Sequence, residues 1–151
     1  MRFLFENHDF TTEGCGQFLD VTDDLTDIVD RSQVTNGMAL VYSPHTTCAI
    51  VINERESGFV KDFCSFMDEL VPHARDKYYI HDDNSVRTEN LEDPHETPNG
   101  HAHIRGTLLG SNSQAIPIVD GDLLLGRWQR VFFLELDRAR ERKVLMQVMG
   151  E

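Results

Sequence analysis

Apolar residues recur along this chain in short dense runs, and polar residues of a restricted kind stand at the ends of those runs. Arg2–Glu6 and Gly16–Val21 read as strands, joined by a turn that Thr11, Thr12, Glu13 and Gly14 mark weakly. Thr22 is a candidate N-cap, and Leu25, Ile28 and Val29 give one apolar helical face. That helix should end near Asn36-Gly37, a C-cap and turn signal. Gly37–Tyr42 and Cys48–Asn53 have strand length, and Pro44 makes the segment between them a connection. Phe59, Phe63, Phe66, Met67 and Leu70 recur at helical spacing, which predicts an amphipathic helix over Ser57–Val71, closed by Pro72.

From His73 to Asn99 the periodicity fades. Asp82, Asp83, Glu89, Glu92, Asp93, Pro94 and Pro98 fall here, so this stretch reads as a lid, a binding loop or a solvated surface loop. His101–Leu109 predicts a short helix or turn. Gln114–Val119, Asp122–Leu125, Arg130–Leu136 and Lys143–Met149 predict strands, with a turn at Val119-Asp120-Gly121-Asp122. Arg130–Leu136 is apolar on both faces over part of its length. It is either a central strand or one buried against another subunit. The order of elements predicts a single α+β domain with a largely antiparallel sheet and two to three helices.

With 151 residues the chain can bury about 70% of its unfolded surface without disulfides or metals. Its 14 Lys+Arg stand against 26 Asp+Glu, a net charge of -12. That excess argues against nucleic-acid and anionic-membrane partners, while leaving room for a small anion held by a few local cations. Cys15, Cys48 and Cys64 are odd in number and lack C-x-x-C spacing, which suits reduced core thiols in a cytoplasmic protein. The start of the chain does not resemble a signal peptide, and no apolar run approaches membrane-spanning length, so a soluble, cytoplasmic protein is expected.

The polar clusters are the chemical signal. Ser43-Pro44-His45-Thr46-Thr47 puts an imidazole and two hydroxyls between two strands, where His45 can ligate a metal, move a proton or donate to phosphate; the alternative is a structural histidine. His101 and His103 are two apart. On a helix they point roughly 200° apart, so only one can face a given site. Asn99 is a natural N-cap there, and the N–H groups of such a helix start can bind phosphate. His81-Asp82 could be a metal pair, an oriented base or plain surface. Glu54 is a carboxylate at a strand end, suited to general-base or metal work or simply to solvent. Ser111 and Ser113 follow Gly110, as an anion nest or a turn. Trp128 and Gln129 open a strand, with core or interface packing the simpler role for the tryptophan. Arg138, Arg140, Arg142 and Lys143 are the dense cationic group, able to meet phosphate or to pair with Asp137 and Glu141. No H-E-x-x-H, P-loop, G-x-S-x-G or Cys-based zinc pattern is present, so any metal would take imidazole and carboxylate.

Taken in order, these residues resemble the YjbQ family, whose members are described as secondary thiamine-phosphate synthases. The match runs through Ser43 to Thr47, Asn53-Glu54, His81, Asn99 to His103, Leu109-Gly110-Ser111, Ile116-Pro117 and Asp120-Gly121. It continues through Leu124 to Gly126, Trp128-Gln129, Glu135, Arg140 and Arg142, and covers about Phe10 to Gly150. Arg138-Ala139-Arg140 departs from it, since a Gly-Pro-Arg-like turn is common there. The resemblance implies a homotrimer with polar clefts near the subunit contacts. It also implies a weak activity joining an aminopyrimidine diphosphate to a thiazole phosphate with release of pyrophosphate. It makes His45, His81 and His103 the family's histidine positions, with Glu54 and Asn99 as polar partners.

Three functional readings follow. In the leading one, a transferase, Glu54 holds Mg²⁺, Arg140, Arg142 or the Asn99 helix start holds phosphate, and His45 or His103 steers protons. Thr46, Thr47, Ser111, Trp128 and Gln129 complete the substrate contacts. In the second, His45, His81 and His103 bind zinc for a phosphate-ester hydrolase. In the third, a trimer binds a phosphorylated metabolite or a metal without turnover.

Overall fold

Pairing, more than local hydrophobicity, sets the length of the first strand. In the computed structural model, which describes every residue except Glu92 and Pro94, β1 runs Arg2–Thr11 rather than stopping at Glu6. It pairs antiparallel with β8 (Glu141–Gly150) from Arg2 opposite Gly150 to Thr11 opposite Glu141, and that ladder carries the polar Asn7-His8-Asp9 as strand. Glu92 and Pro94, part of the polar stretch noted above, lie outside the described residues.

The remaining strands are β2 (Phe18–Asp20), β3 (Gly37–Tyr42), β4 (Cys48–Glu54), β5 (Ser113–Val119), β6 (Asp122–Leu123) and β7 (Gln129–Glu135). The helices are α1 (Thr22–Ser32), α2 (Ser57–Leu70) and α3 (Gly100–Leu109). All pairings are antiparallel, in a five-stranded sheet β1-β8-β3-β5-β6 and a three-stranded sheet β2-β7-β4. The α+β, antiparallel expectation holds.

The caps differ from those expected. Thr22 is the first residue of α1, and the Asp20 carboxylate takes both its N–H (3.0 Å) and its hydroxyl (2.7 Å). The helix stops at Gln33 in the left-handed region, ahead of Asn36-Gly37. Glu56 caps α2, accepting from the N–H groups of Gly58 and Phe59 at 2.7 Å each. Asp120 (φ 54°) and Gly121 (φ 90°) make the tight β5–β6 turn.

Both sides of β7 are now accounted for. Val131 and Phe133 enter one core with Ala39, Val41, Ile116, Val144, Met146 and Val148 of the large sheet, and α1 packs into the same core. Leu134 and Leu136 enter a second core with Ala102 of α3 and Phe63 of α2, and Phe18 packs edge-on against Phe132. β7 is therefore the central strand of its sheet, sandwiched within one chain, and not a strand buried against another subunit. The layers run large sheet, small sheet, then α2 and α3. The small sheet's second face thus carries the N-terminus of α3 to the loop that holds His45.

Candidate functional site

His45 follows β3, on a connection that Pro44 keeps out of the ladder. Its Nε2 accepts the Lys143 N–H at 2.9 Å. An accepting Nε2 places the proton of the neutral ring on Nδ1. Burial, then the Arg142 guanidinium, hold its pKa below the ordinary histidine value, so His45 is a neutral donor at neutral pH.

Beneath it lies a buried ion pair. Arg142 on β8 binds Glu135 on β7 through Nε (2.7 Å) and Nη2 (2.6 Å), and Nη2 also reaches the Thr47 hydroxyl (3.0 Å). Glu135 is fully buried and further accepts the Thr12 hydroxyl at 2.8 Å and the Asp137 N–H at 2.9 Å. Burial opposes the charge on Arg142, but the Glu135 carboxylate raises its pKa above the usual arginine value. This pair fixes Thr47 and the floor beside His45.

A second chain of contacts forms the adjoining wall. Asn99 is 3% exposed; its Nδ2 donates to Asp137 Oδ2 (3.2 Å) and its Oδ1 meets His81 Nε2 at 3.2 Å. Since Oδ1 can only accept, His81 donates from Nε2. Asp137 Oδ2 also takes Arg140 Nη1 at 3.1 Å and Arg138 Nη1 at 3.5 Å. His103 lies against His81, ring centres 4.4 Å apart, and burial followed by that neighbour lowers its pKa.

The start of α3 is not the anion site expected. Asn99 makes no side-chain cap; instead Asp82 Oδ1 accepts the N–H groups of Asn99 (2.8 Å) and Gly100 (2.9 Å). A carboxylate from this chain already holds the amides that would have met phosphate. Gly100 is required by crowding: a Cβ there would come within 2.8 Å of Tyr79 Cβ and 3.0 Å of Asp82 Oδ2.

These parts enclose a cleft of about 750 Å³ lined by His45, Thr46, Thr47, His81, Asn99, His103, Arg140 and Arg142. Its outer wall is the stretch read as a lid or loop: Arg87, Glu89 and Glu96 line it, and Arg87 is tied to Glu96 at 2.9 Å and to the carbonyl oxygens of Glu89 and Asn90. A single 3₁₀ turn, Ile80–Asp82, presents His81.

Other expected residues lie elsewhere. Glu54 ends β4, about 20 Å along the strand from Cys48, opposite Gln129 in the β4–β7 ladder. Gln129 Oε1 accepts the Gly126 N–H at 2.7 Å. Trp128 is 62% exposed with Arg127 stacked on it, so it is not a core residue. Ser111 donates to the Ile50 carbonyl and accepts from Gln114, ties that stitch β4 to β5 and do not form an anion nest. Ser113 is exposed on β5.

Among the described residues, the His, Cys, Asp and Glu donor atoms that gather within 4.8 Å are those of Cys15, His73 and His101; His45, His81 and His103 are not such a group. The Nε2 lone pair of His45 is also engaged by Lys143. The sequence reading missed Arg87 and Glu96, which have no distinguishing context. The buried partnership of Glu135 had a signal, a lone carboxylate inside the apolar run Val131 to Leu136. Cys15, Cys48 and Cys64 form no disulfide, but only Cys48 is fully buried. No described helix is long and apolar enough to cross a membrane.

Residues 6–151 match the family model described as UPF0047 protein YjbQ-like. A UPF0047 protein of Archaeoglobus fulgidus is 43% identical over 127 residues, covering 83% of this chain and 89% of the relative. The UPF0047 protein YugU of Bacillus subtilis is 32% identical, covering 89% and 90%. The crystal structure of a YbjQ-like protein of unknown function from Sulfolobus solfataricus superposes with a TM-score of 0.76 at 32% identity, covering 99% of each chain.

Proposed function

This chain belongs to the YjbQ-like UPF0047 family, and we propose that its cleft binds phosphorylated small molecules and joins an aminopyrimidine diphosphate to a thiazole phosphate, releasing pyrophosphate. One observation carries this reading. In a chain of net charge -12, Arg140, Arg142, Thr46, Thr47 and the neutral donor His45 converge on one cleft. A departing diphosphate takes the electron pair of the breaking C–O bond, and donors aimed at that developing charge stabilise it. Arg140, half-exposed beside Asp137, is the guanidinium placed to turn toward it. Arg142 holds Thr47 in position from below. Magnesium takes oxygen ligands and few carboxylates; Glu89 and Glu96 supply them at the cleft, where Glu54 does not, and the ion would neutralise diphosphate charge. The transferase is preferred to the zinc hydrolase because the donor atoms of His45, His81 and His103, though they line one cleft, are not all within 4.8 Å of one another.

The homotrimer belongs to the same proposal. The outward face of the large sheet exposes Phe3, Phe5, Met38 and Tyr42, an apolar surface suited to self-association. Phe5→Asp should lower the mass of the species in solution, measured by light scattering. We place the protein in the cytoplasm, which would keep its three cysteines reduced.

The test is an assay for thiamine phosphate from the two phosphorylated halves with Mg²⁺. Arg140→Ala should lower turnover by about 10- to 100-fold, the worth of a charged hydrogen bond, and should lower the melting midpoint only modestly, because Asn99 and Arg138 still hold Asp137. His103→Ala should lower it too. Equal trace product from parent and variants would overturn the transferase, and pyrophosphate binding without product would leave a phosphometabolite-binding protein.

A further inference from the structure

Away from the cleft, three segments bring nitrogen and sulfur donors together. Cys15 lies between β1 and β2, His73 just after α2, and His101 in the first turn of α3; one donor atom from each lies within 4.8 Å of the others. The His73 and His101 rings stand 4.7 Å apart. His101 is 4% exposed, and its Nε2 is buried with no hydrogen-bond partner among the described residues. Its other ring nitrogen has only a 3.4 Å contact with the Ala74 N–H, near the limit for a hydrogen bond. With Nδ1 accepting, the neutral ring carries its proton on Nε2, so a metal at Nε2 requires the long Ala74 contact to yield and that proton to move to Nδ1.

We propose that Cys15, His73 and His101 form a transition-metal site, with zinc the ion their chemistry favours. One thiolate and two imidazoles are a borderline-soft set, matched to zinc and not to magnesium or calcium. Zn–S and Zn–N bonds of about 2.3 and 2.1 Å put tetrahedral ligands roughly 3.5 Å apart, so side-chain rotation of about an ångström closes the observed spacing. The outer contacts suit the role. His73 Nε2 stands 3.5 Å from Asp68 Oδ1, a carboxylate that can orient the ring or fill the fourth position. Arg105 Nη1 points at Cys15 Sγ at 3.3 Å, an N–H donor to a thiolate. The Arg105 charge that would repel a cation is balanced by Asp68 at 2.8 Å. A shallow cleft of about 330 Å³ opens onto His73 and His101 and gives an ion its entry. Binding replaces the thiol proton with the metal, Cys–SH plus M²⁺ giving Cys–S–M⁺ and H⁺. The ion would tie the β1–β2 turn and the α2 exit to the start of α3.

The experiment is titration of tag-free, metal-stripped protein with Zn²⁺ against a chromogenic chelator, and with Co²⁺ by absorption. One ion per chain is expected, with a near-ultraviolet thiolate-to-cobalt band and a zinc-dependent rise in the melting midpoint. Cys15→Ser should abolish the band, and the half-exposed His73→Ala should weaken binding by at least about 100-fold. His73→Ala also guards against misfolding, since its circular dichroism should match the parent. His81→Ala, on the cleft side, should leave zinc binding unchanged. No band, sub-stoichiometric binding, or loss of binding in His81→Ala instead of His73→Ala would overturn the site.

Discussion

One short helix serves two regions of different character. His103 of α3 faces a polar cleft with Arg140, Arg142 and hydroxyl donors, while His101, two residues earlier, turns into a tight group with a thiol and a second imidazole. Helical geometry forces the division, because residues two apart point roughly 200° apart. The cleft is built from hard, charged donors held by carboxylates; the other side offers softer nitrogen and sulfur. The His-x-His pair, of which only one ring was expected to face a given site, gives one ring to each of two regions lying back to back.

The two sides rest on different buried arginines, and removing each should show it. Arg142→Met leaves Glu135 as an unpaired carboxylate with no exposed surface, which should cost about 3–5 kcal/mol in urea unfolding. Arg105→Met strips donors from the Val71 and Met67 carbonyls, but its carboxylate partner Asp68 is half-exposed and can rehydrate. Its cost should be smaller, about 1–3 kcal/mol. Equal losses would mean that the Arg142–Glu135 pair is no more critical than a set of carbonyl contacts.

Next in size is a change that touches both sides at once. Gly100→Ala forces a methyl group against Tyr79 and Asp82 and should destabilise by about 1–3 kcal/mol. Because Gly100 begins the turn that carries both histidines, pyrophosphate binding and zinc binding should weaken together, each by calorimetry. Weakening of only one would show that the two faces are positioned independently.

How much of this was legible in the sequence differs between the two regions. The cleft was largely readable: His45, Thr46, Thr47, His81, Asn99, His103, Arg140 and Arg142 converge as their polar types at apolar run ends suggested. The expected residues that lie outside this cleft share a cause. Glu54, Trp128 and Gln129 sit in similar local patterns, but a strand carries its two ends far apart, and one-dimensional reading does not say which end faces the cleft. The Asp82 cap on α3 was hidden because 17 residues separate donor and acceptor. The Cys15–His73–His101 group was invisible for the same reason. Its members come from three distant segments without motif spacing, and only the packing of α3 on the small sheet joins them.

The smallest expected effect isolates the protonation state on the cleft side. His45 takes the Lys143 N–H at Nε2, and Arg142 and Arg140 face it, with Glu135 opposing them from below. Its folded pKa lies under the ordinary value of about 6.5, so between the two the unfolded chain binds more protons than the folded one. Stability therefore rises with pH through that window and is lost as the pH falls through the folded value. His103 shifts in the same direction, so the share of His45 is a difference between slopes. His45→Gln keeps an acceptor for Lys143 without a titrating proton, and its unfolding free energy should fall less than the parent's on acidification below about 6.5. Acid should also strengthen sulfate binding in the parent, as His45 becomes a cation beside Arg140, and should do so less in His45→Gln. Parallel slopes in both measurements would mean that the ring donates from Nε2 or is already charged, and the cleft would then owe its anion preference to the arginines alone.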